Sequence, residues 1–314
     1  MLSRSLNRWL GTVGLSLSLV LTACSHGHPK RIGVALPSQK LGFYRALRTG
    51  LLQEAEKLGL RLHFEDADGD SARQITQVQG LLAEKNDALL LVPVNSESSG
   101  KVVLEANGDH IPVFTLYTEA LGGNTLTHIG TDEHKCGQAA ARLLLQAINN
   151  KGKVAILTDK TRSNLKSQVE AFKGVLGLQS AVDLVADIPV QDIDAQLPGR
   201  MTELLQSNPD LAGIYATSEP LTLAAQQSLT RLGKSRQVAI IGLGGPDLQP
   251  LVQNGTLAGA LIQPPDQMGA RAIATVDLYL KQEAVPNMVT VPARPVSGHG
   301  GSPGPYGNVS SSPT

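Results

Sequence analysis

The first residues whose types and spacing could support chemistry lie near the amino terminus, at Leu21–Cys24 (LTAC). Basic residues precede an apolar run from Trp9 to Leu21, and small residues stand directly before the cysteine. Cleavage before Cys24 would free a thiol and an α-amino group, and both can be acylated. This order predicts a bacterial lipoprotein signal peptide over residues 1–23, with Cys24 as the lipidated residue.

The alternative interpretation of this segment is an uncleaved membrane anchor. The apolar run has only about half to two-thirds of the roughly 20 residues that a helix needs to span a bilayer. Its length therefore favours the export signal.

Other candidate chemistry is sparse. His26-Gly27-His28 offers two imidazoles without a third ligand, which is typical of a solvated linker rather than a metal site. The glycine-rich segment 242–245 lacks the spacing of a dinucleotide-binding loop and predicts a turn. The sequence has no nucleophile elbow, phosphate-binding loop or H-E-x-x-H motif. We therefore expect no enzyme, no cofactor and no metal.

Charge and cysteine content narrow the functional classes further. Without residues 1–23 the chain keeps 25 basic side chains against 27 acidic ones, so it lacks the positive field that nucleic acid requires. If Cys24 carries lipid, Cys136 has no disulfide partner, and the fold must be stabilised by its core. We expect Cys136 to be a small buried helix residue.

Short apolar runs alternate with amphipathic stretches from Arg31 onward, as in a βαβ fold. The runs at 32–36, 88–92 and 113–116 predict strands buried on both faces. Apolar residues recur every four positions at Phe43, Leu47, Leu51 and Ala55, and this spacing is typical of the buried face of a helix. Ile75, Val78 and Leu82 predict the next helix, which either Asp70 or Ser71 can cap.

The alternation restarts after a break at residues 130–132. Runs at 154–157, 184–188, 211–215 and 238–241 predict a second parallel sheet, followed by a helix at 266–281 and an extended stretch at 289–291. Of the 18 residues from Ser297 to Thr314, 5 are Gly, 5 Ser and 3 Pro. Such a segment has too few large apolar groups to offset the entropy of ordering it, and we expect a disordered tail.

Several of these segments resemble one known family. They are Ile32–Pro37 followed by Phe43-Tyr44, Leu91–Pro93, Ile111–Leu116, His128–Asp132, Ala171–Gly174, Ile241-Gly242 and Gln263–Gly269. They resemble, in family order and over almost the whole mature chain, the type I, ribose-binding-protein-like family of periplasmic sugar-binding proteins.

The resemblance implies an α/β fold of two doubly wound parallel-sheet lobes, with a ligand cleft between them and a hinge of three crossings. The crossings would fall near Asp132, Pro264 and Met288. The expected divisions are a signal peptide at 1–23, a linker at 24–30, an N-terminal lobe at 31–132 plus 265–288, a C-terminal lobe at 133–264 plus 289–296, and a tail at 297–314.

The sugar-binding positions of the family are where this sequence departs from it. Leu41 replaces an Asn, Tyr117-Thr118 an Asp-Arg pair, Gln168 an Arg, Ser218-Glu219 an Asn-Asp pair and Gly244 an Asp, while Gln263 persists. Each unpaired sugar hydroxyl costs about 1–3 kcal/mol, so tight binding of ribose is not expected. Aromatic rings at the cleft rim instead favour a larger or less hydroxylated ring-bearing ligand.

The resulting candidate ligand-binding set combines aromatic, amide, hydroxyl and charged side chains: Lys40, Phe43, Tyr44, Asn95, Tyr117, Thr118, Glu119, Arg162, Gln168, Ser218, Glu219 and Gln263. Two alternatives stay open at this point. Phe43 could pack beneath its own helix, and Tyr117 could be an ordinary core residue.

The function expected from this resemblance is capture of a small sugar-like solute outside the cytoplasmic membrane and its delivery to an ABC permease. The alternative is a sensory binding protein that presents its ligand to a receptor or histidine kinase. We expect a lipid-anchored monomer that binds no nucleic acid. An enzyme would require an acid–base pair in the cleft, with Glu119 or Glu219 as its members.

The lipoprotein prediction is tested by mass spectrometry of the mature amino terminus. We expect acylated Cys24 to be the first residue. An intact Met1, or a Cys24→Ser protein that still fractionates with the membrane, would contradict the prediction.

Overall fold

The computed structural model describes residues 29–298, so the predicted signal peptide, most of the 24–30 linker and the tail beyond residue 298 lie outside it. In the described part, the strands are β1 Arg31–Leu36, β2 Arg61–Asp66, β3 Ala88–Leu91, β4 Val113–Leu116, β5 Thr127–Gly130, β6 Gly152–Asp159, β7 Val182–Val190, β8 Leu211–Ala216, β9 Ala239–Gly244, β10 Gly259–Ile262, β11 Met288–Thr290 and β12 Arg294–Ser297.

The helices alternate with these strands. They are α1 Gly42–Leu58, α2 Ser71–Ala83, α3 Ser96–Gly108, α4 Glu133–Ala147, α5 Lys166–Leu176, α6 Ile193–Ser207, α7 Glu219–Arg231, α8 Leu248–Gln253 and α9 Pro265–Leu280, with a 3-10 turn at Ser163–Leu165. None of the described helices is long and apolar enough to cross a membrane.

Two six-stranded sheets organise the described chain into two lobes. The N-terminal sheet has the order β2-β1-β3-β4-β5-β11 and is parallel throughout. The C-terminal sheet has the order β7-β6-β8-β9-β10-β12, and only β12 runs antiparallel to its neighbour. The two doubly wound α/β lobes expected from the sequence are confirmed.

Each sheet is buried on both faces, as the apolar runs predicted. In β3, Ala88 and Leu90 pack into one core cluster while Leu89 and Leu91 pack into another, because successive side chains point to opposite faces of a sheet. The C-terminal sheet likewise separates two clusters. Cys136 is buried in α4 as expected, 5% exposed, and is a free thiol.

Local signals in the sequence produce the expected helices. The stripe from Phe43 to Ala55 is buried along α1. Asp70, rather than Ser71, caps α2, since its carboxylate accepts hydrogen bonds from the backbone N–H groups of Ala72 and Arg73.

The structure corrects the sequence-based topology in two places. β2 was not recognised as a strand, because it lies at the sheet edge and its sequence RLHFED is charged and only partly buried. β11 pairs with β5, so 289–290 belong to the N-terminal lobe and the third crossing follows Thr290 instead of lying near Met288. Ser297, the first residue of the predicted tail, instead belongs to β12, where it pairs with Gly259 of β10.

Helices α1 and α9 complete the N-terminal lobe through a close crossing at two glycines. A Cβ atom on Gly50 would lie 1.9 Å from the backbone oxygen of Asp266, and one on Gly269 would lie 2.4 Å from that of Leu47. Since backbone atoms cannot move aside cheaply, this contact requires glycine on both helices.

We predict that Gly50→Ala lowers the free energy of unfolding by about 1–3 kcal/mol, because the added methyl group forces the two helices apart. The matched control is Gly80→Ala in α2, where a Cβ would meet nothing within 4 Å. This control should gain roughly 0.5–1 kcal/mol from higher helix propensity. Urea denaturation of both variants measures the difference, and equal stabilities would refute the crossing argument.

Candidate functional site

The loops that follow the carboxyl ends of the strands in both sheets face one another across an interlobe cleft. Ligands of open α/β sheets bind at these carboxyl ends. The loops after β1, β3 and β4 supply the N-terminal wall, and those after β6, β8, β9 and β10 supply the C-terminal wall.

The two walls are in direct contact. The backbone N–H of Ser96 donates to the oxygen of Thr161, and the hydroxyl of Ser96 accepts from the N–H of Ser163, both at 2.9 Å. Farther along the cleft, Arg45 and Asp247 approach to 3.9 Å. These interlobe bonds define a closed arrangement of the lobes.

Three aromatic rings form the N-terminal wall. The Phe43 ring centroid lies 4.5 Å from that of Tyr117 and 5.2 Å from that of Tyr44. Tyr117 has a φ of 60°, an uncommon backbone conformation for a residue with a large side chain. Phe43 and Tyr117 also belong to the core cluster of their lobe. The packing alternatives left open by the sequence therefore hold for these two rings, and their contact with a ligand stays a prediction.

Arg162 crosses from the C-terminal lobe onto this wall. Its guanidinium carbon lies 3.9 Å from the Tyr117 ring centroid, and its two Nη atoms donate to the Tyr117 hydroxyl and backbone oxygen at 3.0 and 3.2 Å. Arg162 also pairs with Glu133 at 3.1 Å, and the two side chains are only 3% and 10% exposed. The lobes therefore meet around a buried ion pair stacked on an aromatic ring.

Burial and neighbouring charge shift the pKa values of Glu133 and Arg162 in opposite directions. Burial raises the pKa of Glu133, and the guanidinium of Arg162 opposes the rise. Burial alone would lower the pKa of Arg162, but Tyr117 and Glu133 outweigh it and the net direction is upward. Because Arg162 stays cationic and lies 3.1 Å from Glu133, it favours the ionised form of that carboxylate.

Amide side chains surround the ion pair. The Gln168 amide donates to Glu133, and the Asn164 amide donates to both Glu133 and the backbone oxygen of Tyr117. Gln263 donates to Thr131 at 3.1 Å. Sequence reasoning named Gln168 and Gln263, and the structure places them on one connected network with Arg162.

Glu219 provides a second buried carboxylate on the C-terminal wall. It is 3% exposed, and its Oε2 accepts from the backbone N–H of Gly245 at 2.6 Å. Burial is the largest cause of its raised pKa, which the Gly245 hydrogen bond opposes. A Cβ on Gly244 would lie 2.7 Å from the Glu219 Cβ, so Glu219 occupies space that a side chain at 244 would fill.

The remaining predicted residues lie elsewhere or are otherwise engaged. The Lys40 side chain is exposed and pairs with Asp68 at 2.6 Å. Asn95 caps α3 by accepting from the N–H of Ser98. Thr118 is buried, and Ser218 is buried at the start of α7, where its hydroxyl has no hydrogen-bond partner among the described residues.

Glu119 lies at the edge of a hinge-side cavity of about 670 Å³ rather than on the aromatic wall. The Nε2 atom of His128 is 4.0 Å from a Glu119 oxygen, and burial lowers the pKa of His128 to about 4. The cavity meets the ion-pair network at Thr131, Glu133 and Asn164. Within residues 29–298 no group of three or more His, Cys, Asp or Glu side chains could hold a metal ion.

Sequence reasoning missed Glu133, Asn164, Thr131 and Ser96. Glu133 stands in the first turn of α4, where an acidic residue has an ordinary role in favouring the helix N-terminus, so nothing local marks it. Its partners come from a loop about thirty residues later. No short-range pattern could have identified this set.

The family model of a periplasmic binding protein domain matches residues 32–284. The chain belongs to this family of extracytoplasmic solute-binding proteins. Among curated relatives, the ribose import binding protein RbsB of Escherichia coli (strain K12) is 29% identical over 279 residues, covering 88% of this chain and 94% of that protein. The xylitol-binding protein of Mycolicibacterium smegmatis is 27% identical, covering 88% of this chain and 80% of that protein.

Solved structures agree on the fold. An ABC transporter solute-binding protein from Agrobacterium vitis, bound to α-D-tagatopyranose, has a TM-score of 0.78 at 21% identity and covers 86% of this chain and 95% of its own. One from Bacillus halodurans, bound to myo-inositol, has a TM-score of 0.75 at 21% identity, with coverages of 86% and 94%. These relatives are solute-binding proteins, and this chain is a binding protein rather than an enzyme.

We predict that Arg162→Met lowers the free energy of unfolding by about 3–5 kcal/mol, because it leaves the buried Glu133 carboxylate without its countercharge. The matched control is Lys166→Met, whose exposed partner Glu170 lies 3.9 Å away. That change should cost no more than about 1 kcal/mol. Denaturant unfolding at pH 7 distinguishes them, and similar losses in both variants would contradict the assigned role of the ion pair.

Proposed function

We propose that this protein is a lipid-anchored, extracytoplasmic binding protein that captures a small sugar-like, ring-bearing solute in the interlobe cleft and delivers it to an ABC importer. The observation that carries this proposal is the composition of the cleft. One wall is a cluster of aromatic rings, and the facing wall carries buried amides and carboxylates.

These two kinds of wall suit a sugar or cyclic polyol. Apolar ring faces stack on aromatic side chains, while hydroxyls pair with amides and carboxylates. The relatives support a ligand with several hydroxyl groups, since their names refer to ribose, D-apiose and xylitol. Delivery to an importer is supported by relatives that are import binding proteins.

The lobe arrangement supplies a means of signalling occupancy. The contacts between Ser96 and the 161–163 loop join the two lobes and would be lost if the lobes separated. A ligand that contacts both walls favours that arrangement, and a membrane partner can select the closed shape. The three hinge crossings, after Gly130, after Ile262 and after Thr290, would bend together.

We test the ligand class by thermal shift with D-tagatose, D-allose, D-arabinose, myo-inositol, xylitol and D-ribose. A ligand that binds only the folded state raises the melting temperature according to RT ln(1 + [L]/Kd). We expect at least one of the four ring-forming compounds D-tagatose, D-allose, D-arabinose and myo-inositol to do so, with xylitol as the acyclic comparison. We expect D-ribose to bind no tighter than the high micromolar range. A panel without any shift would refute the proposal.

The cleft location is tested with the ligand that gives the largest shift. Gln263→Ala removes a buried cleft amide and should weaken binding at least tenfold, whereas Gln227→Ala on the exposed face of α7 should leave it unchanged. Small-angle scattering should show the radius of gyration fall on binding. Tight binding with no change in shape would contradict hinge closure.

A further inference from the structure

Glu133 is the centre of the buried polar network that joins the cleft walls. Its Oε1 accepts from Arg162 and Asn164 at 3.1 Å and from the Thr131 hydroxyl at 3.3 Å. Its Oε2 accepts from Gln168. One carboxylate therefore has four donors, each from a different side chain.

The chemistry of these partners fixes the direction of every amide in the network. An ionised carboxylate accepts hydrogen bonds and cannot donate. Gln168 must therefore turn its NH2 group toward Glu133. Asn164 must do the same, since its other partner, the backbone oxygen of Tyr117, is also only an acceptor.

The same constraint reaches Gln263 through Thr131. The single hydroxyl proton of Thr131 goes to the carboxylate, because a charge-assisted hydrogen bond is stronger than a neutral one. Thr131 can then only accept from its other neighbour, so Gln263 must turn its NH2 group toward it.

As a consequence, the side-chain oxygen of each of the three amides is the end that does not bond to Glu133 or Thr131. The side-chain oxygens of Asn164, Gln168 and Gln263 are all buried and have no hydrogen-bond partner among the described residues. Buried acceptors without a partner are rare in folded proteins, and they mark places where a donor from outside the chain would be stabilising.

We propose that Glu133 is a positioning residue that sets the hydrogen-bond polarity of the cleft, turning three amides so that their oxygens accept hydrogen bonds from a ligand rich in hydroxyl donors. This inference rests on the proposed function, because it concerns how the same cleft selects its solute. Glu133 itself does not contact the ligand in this scheme. Glu133 acts by holding the NH2 end of each amide, directly or through Thr131, so that the oxygen end remains available to the ligand.

The positioning role is tested without ligand, by NMR of the side-chain NH2 groups in ¹⁵N-labelled protein from residue 24 onward. In Glu133→Gln, we expect the Gln168 and Asn164 amide protons to exchange with solvent at least tenfold faster than in the unaltered protein. The matched control is Glu170→Gln at an exposed position of α5, and this change should leave both exchange rates unchanged. Unchanged exchange in Glu133→Gln would overturn the proposal.

A second variant covers the case in which Glu133→Gln does not fold, since that change leaves Arg162 buried without a countercharge. Thr131→Val keeps the side-chain shape and removes the hydroxyl that links Glu133 to Gln263, while Arg162 remains paired with Glu133. We expect faster exchange at Gln263 alone, with Gln168 and Asn164 unaffected. Unchanged exchange at Gln263 would overturn the relay through Thr131.

The donor preference is tested with deoxy and deoxyfluoro analogues of D-allose and myo-inositol. Fluorine can accept a weak hydrogen bond but cannot donate one. At a ligand position whose hydroxyl donates to one of the three oxygens, the deoxy and the deoxyfluoro analogue should therefore bind at least tenfold more weakly than the parent compound, and the two losses should be equal. Retained affinity of the fluoro analogues at every position would overturn the proposal. If neither parent compound binds, the proposed ligand class fails, while the amide exchange rates still decide the role of Glu133.

Discussion

The buried ion pair between Arg162 and Glu133 is the interaction on which the closed arrangement of the lobes depends. Arg162 stacks on Tyr117 from the opposite lobe and bonds to its hydroxyl and backbone oxygen. Without Glu133 the guanidinium would be a buried charge with only neutral partners, which is costly. The carboxylate that neutralises it also organises the surrounding amides, so charge balance and cleft geometry cannot be changed independently.

Stability and interlobe contact are otherwise separated in this fold. Each lobe has two apolar core clusters, one on each face of its own sheet, so the apolar core of a lobe lies within that lobe. The contacts between the lobes are mainly polar or aromatic. A polar interface suits lobes that separate and meet again, because its groups can exchange their partners for water at little net cost.

The sequence predicts the architecture well because the architecture follows from local periodicity. The stripe of α1 and the apolar runs of β3 and β4 determine what is buried regardless of distant residues. The charged edge strand β2 was missed because an edge strand need not be apolar. The position of β11 depends on its pairing with β5, more than 150 residues earlier, and that pairing has no local signal.

The candidate site was predictable only where a residue type stands out. Phe43, Tyr44 and Tyr117 were assigned to the cleft rim from the family resemblance, and the structure brings their rings together. Lys40 was chosen for its charge, but its partner Asp68 lies after the neighbouring strand. Glu133 acquires its role only when Arg162 and Asn164, which also contact Tyr117 of the other lobe, reach it, and no sequence spacing encodes that meeting.

The interleaving of the chain between lobes also affects the order in which the molecule can form. Helix α9 contributes Met268, Ile273 and Val276 to the N-terminal core, yet it follows nearly the whole C-terminal lobe in sequence. The C-terminal sheet in turn gains its last strand only at β12. Neither lobe has all its elements until the final residues are available, and such distant contacts make folding slow. If the chain crosses a membrane amino terminus first, neither lobe can complete its core before β11 and β12 follow, and this favours the unfolded state that passage through a narrow channel requires.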